Sequence, residues 1–156
     1  NYRMNPPLRE ERDKFAVLCG ILDGTIDCIV TDHAPHAAEE KADFFKAPNG
    51  VVGLETSFAA SFTALVHTGK LTLSQLVELM SLRPAKLLGI PAGTLQVGAP
   101  ADIAIADLNK KWTVVPEQLH SKSKNTVFAG MTFTGKVAYT LLRGRLVYNN
   151  DEGKGV

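Results

Sequence analysis

A short apolar run, Ile26, Cys28, Ile29 and Val30, ends abruptly in Thr31-Asp32-His33-Ala34-Pro35-His36, which places one carboxylate and two imidazoles at the end of a segment of strand-like composition. Parallel strands deliver their C-terminal residues to one face of the sheet, where α/β proteins gather metals and substrates. The chemistry available to Asp32 and its neighbours is therefore metal or substrate chemistry. A plainer use is also open to Asp32, as a loop cap or the partner of a lysine, and a motif of this length does not decide between them. The other histidines stand alone, His67 at a predicted helix end and His120 in a polar loop. A metal site needs several convergent ligands, so both read as ordinary surface or core residues. Lys122-Ser123-Lys124 reads as a solvated loop.

The elements that must position Asp32 can be read from the spacing of apolar residues. Leu8 to Asp23 carries Phe15, Leu18 and Leu22 with Val17 and Ile21, the stripe of a half-buried helix, and Gly24 is placed to end it. Ile26 to Thr31 then fits a strand covered on both faces, so helix, turn and strand form an α/β unit. Asp32 to Gly53 is polar, contains Pro35 and Pro48, and predicts a long loop of the kind that carries function. Leu54 to His67 returns to helical spacing through Phe58, Phe62, Leu65 and Val66. Thr72-Leu73-Ser74-Gln75 is a capping box for a helix through Met80, and Pro84 opens another through Leu88. From Gly93 the period changes to two, which predicts strands at Thr94 to Val97, Asp102 to Ala106 and Lys136 to Leu142. Asn149 to Val156 is polar and Gly-rich, the composition of a mobile tail.

Composition narrows the field further. The chain has 156 residues, 45% of them hydrophobic and 21% charged, which suits one ordinary globular core or two small ones. Seventeen Lys plus Arg against sixteen Asp plus Glu leave a net charge of +1, too little to mark the chain for nucleic acid or an anionic membrane surface. No stretch approaches the ~20 apolar residues of a membrane span, and the opening Asn1-Tyr2-Arg3 has no signal-peptide pattern. Cys19 and Cys28 match no CxxC spacing and read as reduced, packed thiols, so a cytoplasmic protein is expected. The missing initiator Met and the opening through Pro6-Pro7 read as a chain entering in mid-fold, and a fragment is expected.

The Thr31–His36 segment, preceded by Met4-Asn5-Pro6-Pro7-Leu8-Arg9 and followed by Gly53-Leu54-Glu55-Thr56, resembles the C-terminal part of the bacterial dihydroorotases of the amidohydrolase superfamily. Ser81 to Gly89 and Gly93 to Asp102 are similar to segments shared across that superfamily. The resemblance implies an α/β fold: the C-terminal end of a (β/α)8 metal-dependent hydrolase barrel over residues 1–92, strands of a small β-sandwich over 93–148, and a tail over 149–156. It implies a zinc-dependent enzyme that interconverts N-carbamoyl-L-aspartate and dihydroorotate in pyrimidine synthesis. On the residues that match, Asp32 would be a zinc ligand and the general acid and base, taking the proton of an attacking hydroxide and returning it to the leaving nitrogen. His36 would bind the substrate carboxylate, and Asn5 would offer a donor and an acceptor to the imide edge of the ring. Asn49-Gly50 falls where the family usually has Phe-Gly with backbone against the substrate. Gly50 matches, Asn49 departs from the aromatic, and a backbone contact survives that change. His33 would be structural, behind the ligand.

The absences are as informative. The family's zinc site needs a His-x-His pair, further histidines and a bridging carboxylate, and this chain supplies one ligand of that set. A barrel of ~250 residues is represented by one clear strand. These 156 residues alone are therefore expected to be inactive, with the N-terminal part of the same protein as the implied partner. A second copy of the chain and an aspartate carbamoyltransferase are the other partners implied. Two alternatives stay open: a non-catalytic dihydroorotase-like scaffold subunit of an aspartate carbamoyltransferase, and another cyclic amidohydrolase.

Overall fold

The stripe of Phe15, Leu18 and Leu22 does form a helix, α1 (Glu11–Leu22), in a computed structural model that describes residues 1–150. The Asp13 carboxylate accepts a hydrogen bond from the Glu10 N–H at 3.3 Å and, with Glu11, puts negative charge at the positive end of the helix dipole. The expectation of a half-buried helix is corrected. No residue of α1 is buried, and Phe15 and Leu22 are 65% and 54% exposed. Leu18 and Ile21 of the apolar stripe are half-buried, while Phe15, Val17 and Leu22 are left exposed.

The strand expected at 26–31 is likewise absent. Val30 is 72% exposed, and the Ile29 N–H makes a single backbone bond, to the Leu79 carbonyl at 2.9 Å. A parallel strand exists only through its neighbours. Among the described residues no parallel strand lies beside this one, so a segment with the right composition stays extended without a ladder.

The described residues divide into two units. The first comprises Asn1–Ile26, Val30–Ser57 and Thr113–Thr132. Its buried residues are an unusual mixture: Ala47, Val52, Val114 and Leu119 lie with Lys41, Thr56, Asn125 and Thr126. Burying polar groups is costly unless each finds a partner. Among the described residues no buried side-chain nitrogen or oxygen lacks one.

The second unit comprises Asp27–Ile29, Phe58–Trp112 and the residues from Phe133 on. The helix expected over 54–67 is shorter: α2 (Ser57–Ser61) widens into a π-helical turn at Phe62–Val66, where the His67 N–H reaches the Phe62 carbonyl five residues back. Thr72 caps α3 (Leu73–Val77) as its sequence predicts, with the Gln75 N–H on Thr72 Oγ1 at 3.2 Å and the Thr72 N–H on Gln75 Oε1 at 2.8 Å. A second π-helical turn, Glu78–Leu82, leads into α4 (Arg83–Leu88), with Pro84 in its first turn. Leu71, Leu76, Leu79 and Phe62 form the core with Phe133 from the sheet.

That sheet has three strands in the order β1 (Ile103–Thr113), β2 (Thr132–Leu142), β3 (Arg145–Asn149), and β2 and β3 pair antiparallel through Leu142↔Arg145 and Tyr139↔Asn149. The strand expected at 94–97 does not form. Leu95 and Val97 are almost fully exposed and no described strand pairs with them. Gly135, at φ 87°, lets β2 lie against Phe62, since a Cβ there would sit 2.8 Å from the Phe62 ring. The Trp112 indole N–H donates to the Gly135 carbonyl at 3.1 Å. β3 takes in Asn149, the first residue of the expected tail, and 151–156 lie outside the described residues. No described helix is long and apolar enough to cross a membrane.

Candidate active site

Asp32 stands at φ 42°, in the left-handed region that aspartate tolerates better than most residues. Backbone held in a sparsely populated region is a mark of functional sites, at a cost of ~1–3 kcal/mol. The residue is exposed, and its carboxylate has no hydrogen-bond or ionic partner among the described residues. An acid at the end of an apolar segment is thus left free to act on something else. Neither a loop cap nor a lysine pair is made.

Four positions further, His36 has its ring half-buried, with Nε2 3.0 Å from the Asn49 carbonyl. A carbonyl only accepts, so Nε2 carries the hydrogen and Nδ1 is the free nitrogen of the neutral ring. Glu40 Oε2 lies 4.0 Å from Nδ1 and is mainly engaged by the Ala37 N–H at 2.8 Å. The neutral ring therefore presents an acceptor at Nδ1, and only the protonated ring offers a second N–H to an anion. His33 plays a different part. Its Nδ1 accepts from the Gly53 N–H at 3.1 Å and the Leu54 N–H at 3.4 Å, tying the Asp32 turn to the segment that leads into α2.

Gly50 stands at φ 103°, and a Cβ on it would lie 2.5 Å from the Ala34 Cβ. Only glycine allows the 34–36 and 49–51 segments to approach this closely, with the Ala34 N–H on the Val51 carbonyl at 2.9 Å. Asn5 precedes a cis peptide bond to Pro6 and is exposed. Its side chain makes no hydrogen bond to another described residue. The segment that carries Asn5 is fixed through Arg3: the Arg3 carbonyl accepts the Gly50 N–H at 3.0 Å, and its guanidinium donates to the carbonyls of Phe44, at 3.1 Å, and Phe45.

Of the residues singled out from sequence, the structure joins His36, Asn49 and Gly50 directly. No hydrogen bond between described residues joins Asp32 or Asn5 to them. Several residues that sequence reading passed over hold the region together. The side chains of Asn125 and Lys41, both buried, each bond to three backbone partners. His120, read as an isolated histidine, bonds to Glu55 through its backbone N–H at 2.8 Å and its ring Nδ1 at 2.9 Å. Burial pushes the Glu55 carboxyl up, but the N–H groups of His120 and Ser121 and the His120 ring outweigh it and hold the acid below its usual range. Lys124, read as part of a solvated loop, puts its ammonium on the Leu119 carbonyl and, at 2.8 Å, on that of Ser121. No spacing rule finds Asn125 or His120, because their partners stand 65 or more positions away in sequence.

The donor set does not by itself fit a resident zinc ion, which takes three or four protein ligands. Among the described residues no group of three or more His, Cys, Asp or Glu side chains comes together that could hold a metal. His33 Nδ1 and His36 Nε2 are already committed, which leaves the Asp32 carboxylate and His36 Nδ1 as the uncommitted donors of this cluster, fewer than a zinc ion takes.

Comparison with known proteins places these residues in context. Residues 6–147 match the amidohydrolase family. The dihydroorotase of Brevibacillus brevis is 50% identical over 151 residues, 96% of this chain and 35% of its own length. Those of Bacillus caldolyticus and Syntrophus aciditrophicus are 52% and 53% identical, over 95% and 97% of this chain and 35% of their own lengths. The chain thus spans about a third of the length of these relatives. Among solved structures, the L-hydantoinase (dihydropyrimidinase) of Arthrobacter aurescens superimposes with a TM-score of 0.91 at 38% identity, over 99% of this chain and 35% of that one. The dihydropyrimidinase of Brevibacillus agri gives 0.92 at 32% identity, with the same coverage.

Proposed function

This chain belongs to the amidohydrolase family, and from that premise we propose that it is the C-terminal portion of a zinc-dependent dihydroorotase, a cytoplasmic enzyme of pyrimidine synthesis that closes N-carbamoyl-L-aspartate to dihydroorotate and reopens it. The observation that carries this reading is identity of 50–53% to three dihydroorotases over nearly the whole chain, against 38% and 32% to the L-hydantoinase and dihydropyrimidinase structures named above. The uncommitted carboxylate of Asp32 favours a catalyst over a scaffold, which has no use for a free acid on a left-handed turn.

In this reading Asp32 is the proton carrier. Its carboxylate takes a proton from the water that attacks the ring carbonyl, and returns it to the ring nitrogen as the carbon–nitrogen bond breaks. His36, protonated, presents Nδ1–H to the substrate carboxylate while Nε2–H stays on the Asn49 carbonyl. Asn5 pairs with the imide edge of the ring through its amide donor and acceptor. Gly50, without a side chain, lets the Asn49-Gly50 backbone come up to the ring. Zinc, which polarises carbonyls and acidifies water, would take Asp32 as one ligand and the others from the remainder of the protein.

A graft tests the reading. This chain replaces the corresponding third of the Bacillus caldolyticus dihydroorotase, and the product is assayed with dihydroorotate and with hydantoin. Turnover of dihydroorotate within about tenfold of the parent, with hydantoin at least ~100-fold poorer, is expected. A folded, zinc-loaded graft that is inactive on dihydroorotate, or that prefers hydantoin, overturns it.

A further inference from the structure

The residues of the candidate site are exposed or half-buried, but two residues behind them are not: Asn125 is 4% exposed and Lys41 is 9% exposed. Asn125 is far from the site in sequence, 89 positions from His36, whereas Lys41 stands in the loop between His36 and Asn49. Their partners are all backbone. Asn125 Oδ1 accepts the His36 N–H at 3.2 Å, Nδ2 donates to the carbonyls of Ala34 at 3.0 Å and Gly50 at 3.4 Å, and its own carbonyl accepts the Val52 N–H at 3.1 Å. Lys41 Nζ donates to the carbonyls of Pro48 at 2.8 Å, Gly50 at 3.0 Å and Arg3 at 3.3 Å.

The two side chains meet on one atom, the Gly50 carbonyl oxygen. Through it they connect three stretches: 34–36, which carries His36; 48–52, which carries Asn49 and Gly50; and the N-terminal stretch, where Arg3 stands two residues before Asn5. A buried ammonium without a carboxylate is costly, and no ion pair of Lys41 is found among the described residues. Three carbonyl oxygens neutralise it only in part. Burial, and then the charge of Arg3, hold its pKa below the usual lysine range. A group kept at such a cost, where an apolar side chain would fill the same space, has a geometric task.

We propose that Asn125 and Lys41 are positioning residues that together set the placement of His36, the Asn49-Gly50 backbone and Asn5 for substrate. This rests on the dihydroorotase reading for the identity of the substrate, but the arrangement itself does not. Asn125 fixes where the His36 backbone sits, and the Asn49 carbonyl then fixes the ring through Nε2. Lys41 keeps that carbonyl in place by holding Pro48 and Gly50 on either side of it. Neither residue touches the substrate or moves a proton.

The test uses the 156-residue chain with Asn125→Ala, Asn125→Asp and Lys41→Met, read by amide hydrogen exchange and by the ring 15N shifts of His36. Exchange is referenced to amides of β2, so that a general loss of stability cancels. In Asn125→Ala the His36 amide should exchange about tenfold faster than the reference allows, and the ring should move from Nε2–H alone to a mixture of tautomers. Asn125→Asp keeps the Oδ1 acceptor, so protection of the His36 amide should return. Lys41→Met should release Gly50 and leave the His36 amide protected. Uniform acceleration across β2 and the site, or an unchanged His36 ring in Asn125→Ala, overturns the proposal. Should Asn125→Ala not fold, the other two variants decide on the same criteria. In the graft, Asn125→Ala should raise KM for dihydroorotate at least ~tenfold more than it lowers kcat, with zinc content unchanged. An inactive graft alongside the expected exchange pattern removes the dihydroorotase reading and leaves the positioning intact.

Discussion

His120 holds Glu55 twice, through its backbone N–H at 2.8 Å and its ring Nδ1 at 2.9 Å, across 65 positions of sequence. The same carboxylate takes the Ser121 N–H at 2.9 Å. Three donors on one acid tie the segment entering α2 to the loop after Leu119, and His33 holds the residues just before Glu55 from the other direction.

A dependence on pH follows. With its pKa depressed in the folded chain, Glu55 contributes stability that is fully present above the ordinary carboxylate value of ~4.3 and is lost as the pH falls through the lowered one. Glu55→Gln should cost about 1 kcal/mol at pH 7, after allowance for solvent at this partly exposed site, and should flatten that part of the acid slope. Urea melts of both chains between pH 3 and 7 check this. Parallel acid slopes would show that the three hydrogen bonds carry no net stability.

Why some of this was legible in the sequence and some was not has a physical pattern. The Thr72 and Gln75 cap and Pro84 at a helix start are local devices, and each formed where its residues stand. The strands expected at 26–31 and 94–97 depend on a pairing partner, and the described chain supplies none. Composition there encodes a surface to be covered, which is why Val30, read in a strand covered on both faces, and Leu95 and Val97, read in a strand, are exposed. Within the site, His36 was visible as one of two imidazoles at the end of an apolar run, and Gly50 only through the family resemblance. Asn125, Lys41 and His120 act on backbone groups or on a distant acid, and leave no pattern along the chain.

Gly50→Ala should be among the more harmful alanine substitutions in the first unit. Its φ of 103° and the 2.5 Å approach to Ala34 add strain to overlap, for a loss of about 2–4 kcal/mol. Gly69 is the control: its φ of 73° is also left-handed, but nothing lies within 4 Å, so alanine there should cost ~1 kcal/mol. Equal losses in denaturant melts would place the whole effect in the backbone and none in the contact between the two segments.

Asp32→Asn separates the charge of Asp32 from its conformation. Asparagine accepts the left-handed backbone at least as well, so stability should stay within ~0.5 kcal/mol. In the grafted enzyme turnover of dihydroorotate should fall by about 10² to 10⁴ through loss of proton transfer, and further if zinc is lost. Near-normal turnover with full zinc content would remove Asp32 from the mechanism.

His36→Ala removes the ring from the Asn49 carbonyl and, in the proposed reading, a cation from the substrate carboxylate. The two losses can be told apart. His36→Gln retains an amide N–H and can keep the Asn49 contact, but it can never carry charge. Both variants should raise KM for dihydroorotate, by about tenfold or more, because a charge-assisted hydrogen bond contributes ~1.5–3 kcal/mol. The alanine variant should also lower kcat, since the Asn49-Gly50 backbone loses its hold, whereas glutamine should restore much of kcat and little of KM. Zinc content, measured on the same samples, should not change in either. A drop in bound zinc would make His36 a ligand, and an unchanged KM in His36→Gln would mean that the substrate carboxylate is held elsewhere.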